Sequence, residues 1–138
     1  MPHRRHTLYP YDGVYGGVTG LIELIFQDGL IPVVVQDAET REVLMVAWAD
    51  KAAVSLTLET GYAHYYSRSR RKIWKKGEES GHLQHVIQIR TDCDADTLLY
   101  LVSQSGAACH MGYRSCFYRS LDGTILFDRM IDPKTVYI

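Results

Sequence analysis

Short apolar segments separated by turn residues are the feature that most constrains the fold of this chain. Residues 31–36 and 42–47 are rich in β-branched and apolar side chains, and the five residues between them are typical of a turn. This pattern predicts a β-hairpin. Segments of the same kind predict five further strands, at residues 62–67, 83–91, 98–104, 114–120 and 124–127, the last two joined by a turn at Leu121-Asp122-Gly123.

One segment departs from this pattern and predicts a short helix. Asp50 is a suitable N-cap, Val54 and Leu58 are spaced to lie on one face, and Gly61 is placed to end the helix after about ten residues. The expected fold class is therefore α+β. We expect a strand-rich, compact single domain with a mixed sheet of the β-grasp or roll type and one or two short helices.

Length and charge restrict the classes of protein that need to be considered. The 138 residues suit one domain spanning residues 1–138, in which residues 1–20 form an N-terminal extension of uncertain structure. A formal net charge of −1 gives no general attraction to nucleic acid or to an anionic membrane. No apolar run is long enough to span a bilayer and no secretory signal is apparent, so we expect a cytoplasmic protein with reduced cysteines.

Three aspartates alternate in the segment Asp92-Cys93-Asp94-Ala95-Asp96. In an extended segment every second side chain points to the same face, about 6.6 Å apart, so the carboxylates should line one face and Cys93 the other. Clustered carboxylates repel unless a cation lies among them, and Mg²⁺ prefers such ligands. A solvated acidic turn is the alternative. An EF-hand is rejected, because Thr97 and Ser103 stand where its loop requires Gly and Glu.

The three cysteines, Cys93, Cys109 and Cys116, are separated by 15 and 6 residues. This spacing lacks the two close cysteine pairs of most structural zinc sites, whereas three protein ligands suit a catalytic zinc with one position left for water. The alternative is that they are buried small apolar side chains, as free cysteines usually are. The polar neighbours of Cys109 and Cys116 favour the metal hypothesis.

Six basic residues fall within the nine positions 68–76. Arginine makes bidentate contacts to phosphate, and serine hydroxyls add further donors, so the stretch predicts a phosphate-binding loop. A solvated basic loop and an RNA-contacting patch are the alternatives. Trp74 is expected either to contact a base or to anchor the loop. The candidate phosphate-binding residues are Arg68, Ser69, Arg70, Arg71, Lys75 and Lys76.

Together these motifs resemble those of phosphoribosyl-AMP cyclohydrolase, an enzyme of histidine biosynthesis. The resemblance runs from about residue 29 to residue 119 and rests on residues 31–37, 67–81, 92–96, 108–110 and 114–118, in that order. It implies a zinc- and magnesium-dependent hydrolase acting on a cyclic amidine. The expected reaction opens the adenine ring of 1-(5-phosphoribosyl)-AMP at the N1–C6 bond to give the formimino-AICAR ribonucleotide, the third step of histidine biosynthesis.

The resemblance also implies roles for individual residues. Asp92, Asp94 and Asp96 are expected to bind Mg²⁺. Cys93, Cys109 and Cys116 are expected to bind one Zn²⁺ per subunit, at a site shared between the subunits of an intertwined homodimer. The position of His110 directly after Cys109, and not the resemblance, makes it the first candidate for the proton transfer that attack of water on C6 requires, followed by His64 and His85.

Two other classes of protein fit parts of the pattern. A zinc deaminase also hydrolyses an amidine carbon, but its signature of His-x-Glu with Pro-Cys-x-x-Cys is absent. A non-enzymatic RNA-binding module could use the basic stretch, but the three aspartates would repel phosphate. The sequence thus predicts a small-molecule substrate, with neither nucleic acid nor membrane as a partner.

Overall fold

The computed structural model describes residues 21–132, so the predicted N-terminal extension lies outside the described residues. The elements are β1 (Ile31–Asp37), β2 (Val43–Ala49), α1 (Lys51–Thr60), β3 (His64–Ser67), β4 (Lys72–Lys75), β5 (Gln84–Thr91) and β6 (Leu98–Gln104). They form a mixed four-stranded sheet, a two-stranded sheet and one helix, which confirms the predicted α+β class. In this part of the chain, no helix has the length and apolar character needed to cross a membrane.

β1 occupies an inner position of the four-stranded sheet, whose strand order is β2-β1-β6-β5. It pairs antiparallel with β2, as the predicted hairpin requires, and parallel with β6. Ile31, Val33 and Val35 alternate along β1 and are fully buried, which is typical of a strand with one face on the core. The parallel pairing of β1 with β6 requires a long crossover, and β2, α1, β3, β4 and β5 lie within it.

Helix α1 forms as predicted because both of its ends are capped locally. The Asp50 carboxylate accepts the Ala53 N–H at 2.8 Å. Gly61 adopts a left-handed φ of 80° and donates its N–H to the Thr57 carbonyl at 2.9 Å. Val54 is buried in the core of the domain, so the helix covers one side of it.

Two predicted strands are wrong. Residues 114–120 and 124–127 form no strand, and a single bridge between Arg119 and Ile125 joins them. The predicted turn is present, since the Asp122 carboxylate accepts the Thr124 N–H at 2.9 Å. A two-stranded hairpin needs a further strand or a buried face to be stable. Leu126 and Phe127 are about half exposed, and none of the strands in residues 21–132 pairs with this segment.

β4 lies in the basic stretch, where the sequence predicts a loop. It pairs antiparallel with β3, which begins at His64 rather than at Tyr62. Tyr65 lies opposite Trp74, with ring centroids 5.2 Å apart, and Ile73 packs against the core. These apolar side chains hold β4 in place. The basic residues therefore lie on a β-hairpin and not on a loop.

Candidate active site and metal centres

The acidic run lies in a tight turn that joins β5 to β6. The Asp92 N–H donates to the Thr97 carbonyl at 3.2 Å, and the Asp96 N–H donates to the Asp92 carboxylate at 3.1 Å. Ala95 has a left-handed φ of 59°. The predicted extended segment is therefore wrong, because an aspartate side chain that accepts a nearby backbone N–H favours a turn.

The turn nevertheless brings the three aspartates together. One carboxylate oxygen from each of Asp92, Asp94 and Asp96 lies within 4.8 Å of the other two, and all three residues are exposed. The pKa of the Asp96 carboxyl is raised by its side-chain hydrogen bond to Asp92, and further by desolvation and by the negative charges of Asp92 and Asp94. Oxygen donors at this spacing suit a hard divalent cation such as Mg²⁺, which would relieve the repulsion.

Cys109 and Cys116 lie in the loop of residues 107–117, which we call the cysteine loop. The loop is attached to the edge of β2. The Cys116 N–H donates to the Leu44 carbonyl at 2.7 Å, and the Ser115 hydroxyl donates to the Val43 carbonyl at 2.7 Å. Since β2 is held in the main sheet, these bonds give Cys116 a defined position.

The thiols of Cys109 and Cys116 lie close enough for the charge of one to affect the other. Cys109 is buried, and its sulfur accepts the Met111 N–H at 3.4 Å. Although Cys116 is exposed as a residue, desolvation of its thiol and the neighbouring Cys109 raise the pKa of Cys116 to about 11. Two adjacent sulfur donors suit Zn²⁺, which binds thiolates and would favour their deprotonation.

Cys93 lies in the acidic turn and is exposed. Among residues 21–132, the three sulfur atoms of one chain do not form a common metal-binding group. Within one chain, the predicted ligand Cys93 is therefore separate from the other two. The predicted sharing of the zinc site between subunits, and the homodimer itself, stay predictions.

An open cleft of about 930 Å³ lies between β2, the β3–β4 hairpin and the cysteine loop. Its volume lies within the range of small-molecule sites, at roughly 300–1,000 Å³. Arg71 was a candidate phosphate contact, but it is not among the residues lining the cleft and has a left-handed φ of 55° in the turn between β3 and β4. The predicted residues that do line the cleft are Arg68, Ser69, Arg70, Trp74, Lys75, Lys76, His110 and Cys116.

Trp48 lines the same cleft and was not found by sequence reasoning. The guanidinium of Arg68 lies 4.8 Å from the centroid of its ring. Trp74 also lines the cleft, but its ring packs on Tyr65, as a loop anchor would. The only sequence signal for Trp48 is its place next to the buried Ala49, since alternation along β2 turns it away from the core.

The three candidate histidines lie in different surroundings. His110 is exposed and lines the cleft. The ring of His64 is bonded through Nδ1 to the Tyr62 carbonyl at 2.8 Å, and the ring of His85 packs on Tyr62 with centroids 5.5 Å apart. Neither His64 nor His85 is among the residues that line the cleft, so the geometry favours His110.

Residues 45–118 match the family model described as phosphoribosyl-AMP cyclohydrolase. The match covers more than half of the chain and includes the β3–β4 hairpin, the acidic turn and the cysteine loop. The chain belongs to the phosphoribosyl-AMP cyclohydrolase family. The resemblance seen in the sequence is thereby confirmed.

Members of the phosphoribosyl-AMP cyclohydrolase family are similar to this chain over most of its length. The protein of that name from Methanospirillum hungatei JF-1 is 58% identical over 130 residues, which is 94% of this chain and 97% of the relative. That of Methanocorpusculum labreanum is 61% identical over 114 residues, covering 83% and 93% of the two chains. That of Methanoregula boonei is 64% identical over 111 residues, covering 80% and 90%.

Proposed function

We propose that this chain hydrolyses 1-(5-phosphoribosyl)-AMP, opening the adenine ring at the N1–C6 bond to give the formimino-AICAR ribonucleotide in the third step of histidine biosynthesis. One observation carries the proposal: a single cleft brings the basic side chains together with His110 and Cys116. The groups that recognise phosphate and the groups that support hydrolysis can then act on the same nucleotide. We expect such a biosynthetic enzyme in the cytoplasm.

The cleft offers different surfaces to the charged and the aromatic parts of this substrate. Arg68, Ser69, Arg70 and Lys75 would hold a phosphate group, because guanidinium, ammonium and hydroxyl groups donate to its oxygens. Trp48 offers an indole face on which the base can stack. Binding at both ends orients the purine towards the cysteine loop, and such positioning lowers the barrier to reaction.

We also propose that Cys109 and Cys116, together with Cys93 of the partner subunit, bind one Zn²⁺ per subunit in a homodimer. Thiolate sulfurs are suitable donors for Zn²⁺, which would supply a Lewis acid for hydrolysis when bound. His110, next to Cys109 and facing the cleft, would take a proton from the attacking water. The water oxygen bonds to C6, the C6–N1 bond breaks, and the proton passes to N1.

Asp92, Asp94 and Asp96 are proposed to bind Mg²⁺, where it would offset phosphate charge and orient the substrate. These three residues are not among those that line the cleft of their own chain. The acidic turn of a partner subunit would therefore have to complete the site. The same turn carries Cys93, so one docking event would supply both the carboxylates and the third sulfur.

The activity is tested by a spectrophotometric assay of phosphoribosyl-AMP consumption before and after chelation. We expect turnover that requires Mg²⁺, is lost on removal of zinc and returns when stoichiometric Zn²⁺ is added. Failure of the folded, metal-loaded protein to consume phosphoribosyl-AMP would reject the proposed function.

Subunit mixing tests the shared zinc site. Cys93→Ser and Cys109→Ser chains should each be inactive, but their heterodimer retains one complete set of three cysteines, so co-expression should restore about a quarter of the activity. The matched control combines Cys109→Ser with Cys116→Ser, whose heterodimer has no complete set and should stay inactive. Differently tagged chains verify that mixed dimers form. Equal recovery in both pairs, or none in either, would contradict sharing.

A further inference from the structure

The amino group of Lys76 contacts the backbone of the residue that precedes Cys109. Nζ donates to the Ala108 carbonyl at 2.5 Å, and the side chain is half-buried. Ala108 directly precedes Cys109, and Lys76 shares the cleft wall with Cys116. The hydrogen bond to Ala108 thus holds the ammonium group next to the backbone of Cys109, in the cleft wall that Cys116 also lines.

The backbone on both sides of Lys76 holds this side chain in place. Its own N–H donates to the Ala63 carbonyl at 3.0 Å. Gly77, which follows, has a φ of 84°, and a Cβ at this position would lie 2.5 Å from the His82 carbonyl. Only glycine permits so close a turn. These backbone contacts thus fix Lys76 at the end of β4, from where its side chain enters the cleft. Its partner Ala108 is 32 residues away in the sequence.

A zinc site of three thiolates has a net negative charge that Lys76 can balance. Three thiolates and Zn²⁺ together carry one negative charge, and a partly buried charge without a partner is destabilising. One ammonium group next to the cysteine loop makes the sum zero. Mutation of a group that contacts a metal ligand, rather than the metal itself, commonly lowers metal affinity by about 10–100-fold.

We propose that Lys76 is a positioning residue of the zinc site: its ammonium group balances the thiolates, and its hydrogen bond to Ala108 holds the backbone that leads into Cys109. The inference rests on the proposed function, which assigns Zn²⁺ to Cys109 and Cys116. The inference assigns Lys76 to the metal centre, whereas the sequence predicted that it binds substrate phosphate. Phosphate recognition then falls to Arg68, Ser69, Arg70 and Lys75.

The experiment compares zinc affinity among variants of the full chain. Lys76→Met removes the charge and keeps the side-chain length, and Lys76→Gln also keeps a donor for Ala108. Lys72→Met is the matched control, because it removes another lysine that lines the cleft, at the start of β4. Competition with a chromophoric chelator measures the Kd for Zn²⁺, and the thiolate-to-metal absorption of the Co²⁺-substituted protein reports the ligand geometry.

We expect Lys76→Met to weaken zinc binding by about 10–100-fold and Lys72→Met to leave it unchanged. Lys76→Gln should also lose affinity, because it lacks the charge, and Lys76→Arg should recover most of it. If Lys76→Met does not fold, as judged by thermal unfolding of the zinc-free protein, the comparison is made with Lys76→Gln.

Zinc affinity in Lys76→Met equal to that in Lys72→Met, together with a raised KM for phosphoribosyl-AMP, would overturn the inference and return Lys76 to the phosphate site. Wild-type protein that bound zinc while every Lys76 variant kept its affinity would overturn this inference alone. Wild-type protein that bound no zinc would overturn the proposed metal centre and the inference with it.

Discussion

Arg114 forms an ion pair with the carboxylate of Asp37 at the end of β1, and its Nε lies 3.3 Å from the Glu42 carboxylate. The carbonyl of Arg114 accepts the Ala108 N–H at 3.0 Å. This residue thus connects the cysteine loop to the β1–β2 turn, 77 residues away in the sequence. The position of Cys116, two residues further on, depends on that connection.

Replacing Arg114 by alanine should lower the free energy of unfolding by about 2 kcal/mol, because it leaves the buried Asp37 carboxylate without its cation. It should also weaken zinc binding, since the cysteine loop loses an attachment. Chemical denaturation of the metal-free protein measures the first effect and chelator competition the second. Arg90→Ala, at an exposed position on β5, is the control and should cost less than about 0.5 kcal/mol. Equal stability of the two variants would contradict the prediction.

The stability of the protein should fall in acid partly through Asp37. Burial alone would raise the pKa of Asp37, but hydrogen bonds from the Thr40 and Glu39 N–H groups and the charge of Arg114 outweigh it, so the pKa lies below its usual 3.8. A carboxyl with a lowered folded-state pKa stabilises fully above pH 3.8 and loses this contribution as the pH falls through the folded pKa.

Asp37→Asn should therefore be less stable than the wild type at about pH 5, and the difference should shrink as the pH falls towards about pH 2. Urea denaturation across this range gives both stabilities. A difference that stays constant with pH would show that the charge of Asp37 is not responsible.

Trp48→Ala should raise the KM for phosphoribosyl-AMP about tenfold, because stacking of a base on an aromatic ring contributes about 1–3 kcal/mol. Trp48→Phe keeps an aromatic face and should retain most of the affinity. Steady-state kinetics with both variants, after thermal unfolding has shown that they fold, provide the measurement. An unchanged KM in Trp48→Ala would place the base elsewhere.

Asp94→Asn should increase the Mg²⁺ concentration needed for half-maximal activity by about tenfold or more, because a hard cation loses an anionic ligand. The stability of the metal-free protein should change little, since Asp94 is exposed. Activity titrated with Mg²⁺ measures the effect, and zinc content is measured in parallel to show that the other centre is intact. A Mg²⁺ dependence equal to that of the wild type would argue against the site.

Structure that depends on nearby residues could be predicted from the sequence. Asp50 and Gly61 cap α1 through bonds to residues three or four positions away, and the apolar alternation of residues 31–36 predicts a strand wherever its partner lies. Residues 124–127 have the same local character but no strand partner within residues 21–132, so the same reasoning fails there. The prediction of an extended acidic run fails for another reason: the Asp92 side chain accepts the backbone N–H of Asp96, which favours a turn.

The sequence by itself determined which metal-binding and phosphate-binding groups are present. They are clustered carboxylates, three thiols and a basic stretch, in an order that identifies the family. Tertiary structure alone decided which of these groups meet. The contacts of Lys76 with Ala108, Arg114 with Asp37 and Arg68 with Trp48 join distant parts of the chain. A long charged side chain can reach many partners, and the choice among them is made by the packing of the strands and loops that carry it.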